Sequence, residues 1–412
     1  MSDFDIAFGA SPTLPDVIGL GVLTRVLDRD TVDDVLGKAG RHQTRVRLLP
    51  ARVVVYLVFA LCLFTSDGYD EVMRKLTNGL RGLRILSGEG KVPTPSAISQ
   101  ARTRLGHEVM GQLFEAVCVP VATRATVGGF FGSWRIMAID GTVVDMPDTA
   151  DNAAEFGYSG ATGGKRSAFP QVRIVTLVEC GTHATVWAEF DAIKTAERTL
   201  VNRMTPQFAP DIIVLADRGF YSYELFTASM APGAQLLWRV SNTVDLPVLE
   251  YYQDGSFRSE LLPTRMKTAA KAGRRSAEVD AHRVPVRVVE YMVKNRPDNE
   301  TIRLITTVGD IYDGQAQDLA ALYQQRWEHE LVFDEIKTHQ MNAQHRQLRS
   351  RTPDLVKQEI WAFLITHYAV QVFISEAADD LGADADRYSY TKTINISCRQ
   401  VLNQAAFSPL TT

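Results

Sequence analysis

Apolar residues recur at every third or fourth position through much of residues 11–125, which is the spacing of amphipathic helices. One such stripe consists of Met110, Leu113, Phe114 and Val117. Residues that favour helix starts precede several of these stretches, and we predict N-caps at Asp30 and Thr94 and a first-turn proline at Pro50. The amino-terminal part is therefore predicted to be a set of short helices, as is typical of a binding module.

From residue 134 onward the pattern changes to short runs of apolar and β-branched residues between turn residues, which predicts strands. The predicted strands cover residues 134–144, 172–179, 184–190 and 212–216. Residues 237–307 stay rich in β-branched residues, and helical periodicity returns at 315–337 and 354–376. About the last fifteen residues lack periodicity and are predicted to be a loosely held tail.

Composition narrows the class of protein. The 412 residues are 45% hydrophobic and 22% charged, which indicates about two or three globular domains and excludes a wholly disordered or collagen-like chain. The four cysteines lie far apart without a CxxC pair, so we expect a reducing cytoplasm and neither a zinc site nor a disulfide framework. The longest apolar run, residues 53–64, is shorter than the roughly 20 residues that span a bilayer. Since no secretory leader opens the chain, we predict a soluble protein without a membrane partner.

The formal net charge of −4 averages over regions of opposite sign. Residues 1–37 and 376–386 together contribute −10, whereas residues 72–105 contribute +6 and residues 239–303 contribute +3. The total alone argues against a nucleic-acid partner, because phosphate binding usually leaves a basic signature. The distribution predicts instead that such a partner lies on the basic interior segments.

Two carboxylates directly follow apolar runs, on or at the end of predicted strands: Asp140 comes after residues 136–139, and Asp217 comes after residues 212–216. A carboxylate at the end of a buried strand costs free energy unless a partner compensates its charge, and a metal ion is one such partner. The common alternative is that each Asp starts a turn or caps the next helix. The strands alone leave both interpretations open.

A third polar set lies in the predicted helix 315–337, on one stripe formed by Tyr323, Arg326, Glu330 and Lys337. The alternative is a solvated face with ion pairs, but apolar neighbours must bury much of this helix, so we predict that the stripe faces a site. These neighbours are Leu331, Val332, Phe333 and Ile336. Three carboxylates from two strands and a helix can hold two divalent cations about 4 Å apart, as in-line phosphoryl transfer requires. Ligands that are all oxygen favour Mg²⁺ or Mn²⁺ over Zn²⁺.

The spacing Tyr323-x2-Arg326-x3-Glu330-x6-Lys337 resembles the signature of the DDE transposases of bacterial insertion sequences, specifically of the insertion-sequence-four type. Asp140-Gly-Thr142 and Asp217-Arg-Gly-Phe-Tyr221 are similar to the first and second acidic motifs of that family. The likeness extends from about residue 15 to about residue 375. His329 departs from it, since an apolar residue is more usual at that position.

The resemblance implies an α/β fold, in which a ribonuclease H-like catalytic core with a β-rich insertion is preceded by an all-helical DNA-binding domain. The gap between Asp217 and Glu330 has room for that insertion. The implied boundaries are residues 11–127 for the helical domain, 128–236 and 308–376 for the catalytic domain, 237–307 for the insertion and 377–412 for a carboxy-terminal tail.

The resemblance also implies the roles of the site residues. Asp140, Asp217 and Glu330 are expected to be the catalytic triad that binds two Mg²⁺ or Mn²⁺ ions. Tyr323, Arg326 and Lys337 are expected to contact phosphates of the transposon end. Basic clusters predict further DNA contacts, with a solvated surface as the alternative for each. They are Arg102 and Arg104 in a helix-turn-helix-like segment, Arg274 and Arg275 in the insertion, and Lys165 with Arg166 beside two glycines.

The expected function is cut-and-paste DNA transposition: the protein binds terminal inverted repeats, hydrolyses phosphodiester bonds and joins the freed 3′-hydroxyl to target DNA. Its expected partners are double-stranded DNA and a second copy of the chain, in the bacterial cytoplasm at the nucleoid. Two alternatives stay open, a transposase-derived DNA-binding protein that does not cut and a ribonuclease H-fold nuclease or resolvase. The complete triad disfavours the first, and the large insertion and the signature spacing disfavour the second.

Overall fold

The computed structural model describes residues 20–41, 49–78, 93–160, 166–266, 277–292, 301–341 and 347–402. Its amino-terminal part is helical, as the apolar spacing predicts. A 3-10 turn at Gly21–Arg25 is followed by the helices α1 (Arg29–Lys38), α2 (Ala51–Leu63), α3 (Tyr69–Asn78), α4 (Pro95–Leu105) and α5 (His107–Val117).

Short side chains and prolines start these helices. Thr94 caps α4 as predicted, since its Oγ1 accepts a hydrogen bond from the backbone N–H of Ala97 at 3.3 Å. Pro50 directly precedes α2, whose thirteen residues are almost all buried. The predicted cap of α1 is wrong: Asp28, not Asp30, accepts the first backbone N–H groups. Asp28 lies two residues earlier in extended backbone and has the same capping chemistry, so the pattern alone does not separate the two.

The described strands form a single ten-stranded sheet in the order β4-β3-β2-β5-β6-β10-β9-β8-β7, with β1 paired to β2. The β2–β5 and β5–β6 pairs are parallel, and the other pairs are antiparallel. The strands are β1 (Phe130–Phe131), β2 (Trp134–Asp145), β3 (Gln171–Glu179), β4 (Ala184–Ala192), β5 (Ile212–Ala216), β6 (Gln235–Val240), β7 (Glu250–Tyr251), β8 (Phe257–Leu261), β9 (Val284–Met292) and β10 (Thr301–Thr306).

The β-rich segment 237–307 continues this sheet. Its predicted start falls inside β6, which pairs with β5 on one side and with β10 on the other. β9, β8 and β7 then extend the sheet outward in antiparallel order. The β-branched content predicts strands here, but local sequence does not reveal that β6 joins them to the rest of the sheet by pairing with β5 and β10.

Helices cover the sheet and complete the chain. They are α6 (Ala150–Phe156), α7 (Glu197–Met204), α8 (Tyr223–Met230), α9 (Ala277–Ala281), α10 (Ala316–Gln324), α11 (Glu328–Asp334), α12 (Pro353–Asp380) and α13 (Tyr390–Leu402). A 3-10 turn, Gln325–Trp327, joins α10 to α11, and a π-helical turn, Glu335–Gln340, comes after α11.

The 28-residue α12 is a central core helix. Among the described residues it is the one helix long and apolar enough, by length and composition, to cross a membrane, and 72% of its most apolar window is buried inside the protein. One continuous hydrophobic cluster joins α12 to the amino-terminal helices and to the sheet. The helical part therefore shares its core with the sheet.

The carboxy-terminal segment also packs into this core. Residues 377–412 were predicted to be a tail, but α13 occupies part of them and buries Tyr390, Ile394 and Val401. The tail prediction is wrong for this helix, whose apolar positions contact α12 and the amino-terminal helices.

Candidate active site

Asp140 and Asp217 lie side by side on neighbouring parallel strands. Ile139 of β2 is in register with Ala216, the last residue of β5, so Asp140 within β2 and Asp217 directly after β5 are the next residues along the two chains. Ile139 and Ala216 belong to the hydrophobic cluster on one face of the sheet, so the alternation of side chains places both aspartates toward the other face. The two acidic motifs of the sequence thus meet at one point.

The environment of Asp140 disfavours a bare negative charge. Its half-buried carboxylate accepts a hydrogen bond from the Gly141 backbone N–H at 2.8 Å. Burial raises the pKa of Asp140, and the charge of Asp217 raises it further, whereas the Gly141 N–H, Arg326 and Lys337 lower it. The charges of Asp217, Arg326 and Lys337 therefore all act on the Asp140 carboxylate.

Gly141 keeps room for an ion pair on the opposite face of the sheet. A Cβ at this position would lie 3.0 Å from the carboxylate carbon of Glu197. The Glu197 carboxylate in turn accepts a hydrogen bond from Arg173 Nη1 at 2.5 Å. The glycine after the first aspartate is thus explained by the close approach of this side chain.

Asp217 is contacted by two residues of the same face. The Tyr323 hydroxyl donates a hydrogen bond to Asp217 Oδ1 at 3.3 Å, and Arg239 Nη1 lies 3.9 Å from the same oxygen. Burial raises the pKa of Tyr323, which keeps its hydroxyl a hydrogen-bond donor. Tyr323 is 3% exposed and bonds to one of the predicted carboxylates, whereas its predicted contact with a DNA phosphate stays a prediction.

Sequence reasoning missed Arg239. Ala216 of β5 is in register with Trp238 of β6, so Arg239 follows Asp217 across the sheet as Asp217 follows Asp140. The three polar residues form a row across three parallel strands. A signal was present, because Arg239 follows a short apolar run just as the two aspartates do.

The signature segment is not the uniform helix that the sequence predicts. It consists of α10, a 3-10 turn, α11 and a π-helical turn. Arg326 lies in the 3-10 turn with only 6% of its surface exposed, and its guanidinium lies 4.9 Å from the Trp327 ring and 5.9 Å from the Tyr323 ring. The approach of the signature residues to the two aspartates therefore depends on the change of helical twist at the 3-10 turn and at the π-helical turn.

Lys337 lies in the π-helical turn, half-buried, and lines a pocket with Thr142 and Phe333. Its charge acts on Asp140. Glu330 lies in α11, between Arg326 and Lys337 along the chain, but its side chain lies outside the described residues. The described structure therefore places two of the three predicted carboxylates.

Arg102 is a correction to the predicted DNA contacts. It is 1% exposed, and its guanidinium donates to Gln358 Oε1 at 2.8 Å, to the Tyr69 hydroxyl at 2.7 Å and to Ser350 Oγ at 3.3 Å. These bonds join the amino-terminal helices to α12, and they leave no surface for a phosphate. The sequence suggests a surface cation here because two of the acceptors, Gln358 and Ser350, lie about 250 residues away along the chain.

The other basic candidates differ in their surroundings. Arg104 and Arg166 are exposed, and the Arg166 guanidinium lies 4.2 Å from the Tyr158 ring. Lys165, Arg274 and Arg275 lie outside the described residues. Their DNA contacts stay predictions.

The basic count of residues 72–105 also changes. Arg74 pairs with Asp70 and Glu71, and Lys75 pairs with Asp67. These three acids lie just before residue 72, so the net charge of +6 for residues 72–105 becomes +3 for residues 67–105. The helix-turn-helix-like segment is thus less basic than the sequence window suggests.

Comparisons with known proteins agree with the geometry of the site. The family described as insertion element 4 transposase N-terminal matches residues 17–115, and the transposase DDE domain family matches residues 133–368. The chain is 26% identical over 384 residues to the transposase InsG for insertion sequence element IS4 of Escherichia coli K12, covering 93% of this chain and 83% of that protein. It is 23% identical over 215 residues to the putative transposase InsZ of the same organism, covering 52% of this chain and 68% of that protein.

A solved structure shares the fold. The chain superposes on the piggyBac transposase from a cryo-EM structure of its synaptic complex with hairpin DNA, with a TM-score of 0.50 and 10% identity, over 94% of this chain and 81% of that one. The family match spans both aspartates and the complete signature segment. The chain therefore belongs to the DDE transposases of the insertion-sequence-four type, and it is a DNA transposase with the polynucleotidyl transferase and endonuclease chemistry of that class.

Proposed function

We propose that this transposase binds the terminal inverted repeats of its insertion sequence, hydrolyses a phosphodiester bond to free a 3′-hydroxyl, and joins that hydroxyl to target DNA. In this proposal Asp140, Asp217 and Glu330 are the catalytic carboxylates of a ribonuclease H-like core. The observation that carries it is the register of β2 and β5, which puts the first two carboxylates side by side.

The residues fit divalent metal ions. Two neighbouring carboxylates repel each other, and burial already raises the pKa of Asp140, so a cation between them would relieve both costs. We propose Mg²⁺ or Mn²⁺ because the three proposed ligand side chains offer only oxygen atoms. Two such ions, when bound, would activate the attacking oxygen and stabilise the leaving oxygen.

The surrounding side chains orient the carboxylates and balance charge. The Gly141 N–H holds Asp140, and the Tyr323 hydroxyl holds Asp217. Lys337 is half-buried and its charge acts on Asp140, so we assign its ammonium to a DNA phosphate at the active site. Arg326 is buried and its charge also acts on Asp140, so we assign its DNA contact to the same site.

Transposition of a segment with two ends requires that both ends be held at once. We propose that two copies of this chain do so in the DNA complex, in the bacterial cytoplasm where the chromosome lies. The piggyBac transposase, which shares the fold, was solved as a synaptic complex with hairpin DNA, and that likeness supports an assembly on DNA. Of the described basic candidates, Arg104 and Arg166 have the exposure that a DNA backbone contact needs.

The test is strand cleavage by purified protein on a duplex that contains the element's end, with magnesium, comparing wild type with Asp140→Asn. We expect the substitution to lower single-turnover cleavage by at least about 1,000-fold, because it removes a metal-binding charge. Asp145→Asn is the matched control, since Asp145 lies on the same strand and accepts a hydrogen bond from Gln171 Nε2 at 2.7 Å. Equal cleavage by wild type and Asp140→Asn would contradict the proposal.

A further inference from the structure

The π-helical turn after α11 has the wide hydrogen bonding that defines it. The Met341 N–H donates to the Ile336 carbonyl, five residues back, at 2.7 Å. Such turns are rare, cost stability and concentrate at functional sites. Lys337 is the third residue of this turn, so the local twist decides which way its ammonium points.

The first residue of the turn is held by a buried polar pair. The Glu335 carboxylate oxygen Oε2 lies 2.9 Å from His367 Nε2 and accepts a hydrogen bond from Gln371 Nε2 at 2.7 Å. His367 is fully buried and Gln371 is 1% exposed, and both lie on α12, one helical turn apart. Glu335 is thus fixed by the central core helix.

The last residue of the turn is held in the same way. Gln340 is 3% exposed, and its Nε2 donates to the Phe363 carbonyl of α12 at 3.1 Å. Its Oε1 accepts a hydrogen bond from the Tyr390 hydroxyl of α13 at 3.1 Å, and the Tyr390 ring stacks on His367 with centroids 5.1 Å apart. Both ends of the turn are therefore attached to the same buried group of side chains.

These anchors explain why the wide turn persists. Without them, the segment would relax toward a regular α-helix, which would take up the extra residue of the wide turn and rotate the residues within and after the turn by up to about 100° about the helix axis. Lys337 would then leave its place beside Thr142, from which its charge acts on Asp140.

We propose that Glu335, held by His367 and Gln371, is a positioning residue that sets the direction of Lys337 in the active site. The inference rests on the proposed function, since Lys337 is there assigned to the DNA phosphate. Gln371 and Tyr390 lie beyond residue 368, where the match to the transposase DDE domain family ends, so the carboxy-terminal helix takes part in shaping the site.

The test is a double-mutant cycle on end cleavage, with wild type, Glu335→Ala, Lys337→Ala and the double variant. Rates are measured in single turnover with saturating protein and are normalised to the folded fraction from a urea titration. We expect Glu335→Ala to lower the wild-type rate on the order of 10- to 100-fold, as misplacement of a site group does. In the Lys337→Ala background, the same change lowers the rate by less than about 2-fold, because the misplaced group is already absent.

Glu359→Ala is the matched control. Glu359 is a buried carboxylate on α12, the helix that carries His367 and Gln371, and its carboxylate accepts hydrogen bonds from the backbone N–H groups of Arg349 and Ser350. Its effect on the rate is expected to be the same in both backgrounds.

Equal losses from Glu335→Ala in the two backgrounds would overturn the inference while leaving the transposase function intact. Absence of cleavage by wild type would instead count against the function itself. If Glu335→Ala does not fold, Gln371→Ala, which removes one of the two anchoring donors, takes its place in the cycle with the same two outcomes.

Discussion

Two buried arginines, Arg102 in the amino-terminal helices and Arg326 in the signature segment, look alike in sequence and differ in their surroundings. Both were predicted to contact DNA, and they are 1% and 6% exposed. Arg102 donates to neutral acceptors of the protein, including Gln358 and Ser350. Both guanidinium groups lie near an aromatic ring, that of Tyr69 for Arg102 and those of Tyr323 and Trp327 for Arg326, but only Arg326 lowers the pKa of Asp140.

The difference shows that burial alone does not separate a structural arginine from a site arginine, because the groups on which the guanidinium charge acts also have to be known. A guanidinium whose bonds go to amides, hydroxyls and carbonyls is satisfied inside the fold. A guanidinium whose charge lowers the pKa of a site carboxylate takes part in balancing the charge that a substrate or metal will change.

The largest effect that this comparison predicts is on catalysis. We expect Arg326→Ala to lower single-turnover end cleavage by about 100-fold or more, since it removes a positive charge preorganised beside Asp140. The rate is normalised to the folded fraction, so that loss of packing is not counted as loss of chemistry. Arg102→Ala, measured in the same way, should keep a rate per folded molecule near that of wild type. A similar loss of cleavage rate in both variants would contradict the distinction between a structural Arg102 and a site Arg326.

The second prediction concerns stability. Arg102→Ala leaves several buried acceptors without their donor, so we expect the free energy of unfolding to fall by on the order of 3 kcal/mol. Arg104→Ala is the control two residues along the same helix, where exposure predicts a change within about 0.5 kcal/mol. Urea unfolding followed by circular dichroism measures both, and equal stabilities for the two variants would contradict the role given to Arg102.

The smallest effect concerns DNA affinity. If Lys337 neutralises one phosphate, Lys337→Ala reduces the slope of log affinity for the end duplex against log salt by about one unit. Arg74→Ala should leave the slope unchanged, because Arg74 already pairs with Asp70 and Glu71. An unchanged slope for Lys337→Ala would remove the phosphate contact from the proposal.

Much of the fold follows from local pattern. Strands predicted at residues 134–144 and 212–216 are β2 and β5 almost to the residue, because the apolar runs 136–139 and 212–216 are too short for helices. The sequence did not reveal that β7 to β10 extend the same sheet, because strand pairing joins residues far apart in the chain.

The site, like the fold, has features that local sequence predicts and features that depend on distant residues. The meeting of Asp140 and Asp217 was predicted from the motifs, whereas Arg239 was missed because its role appears only when β6 pairs with β5. The seven-residue spacing suggested a regular helix from Tyr323 to Lys337. The π-helical turn within it depends on buried partners such as His367, which no local pattern identifies.

The most direct test of the account addresses Glu330, whose place in the triad rests on the signature and the family. Glu330→Ala and wild type are compared for magnesium-dependent cleavage of an end duplex at protein concentrations that give equal DNA binding. We predict that the variant binds the duplex like wild type and cuts it at least about 1,000-fold more slowly, since it lacks one metal-binding carboxylate. Cleavage at the wild-type rate, or cleavage by wild type that persists after chelation of the metal, would contradict the central claim.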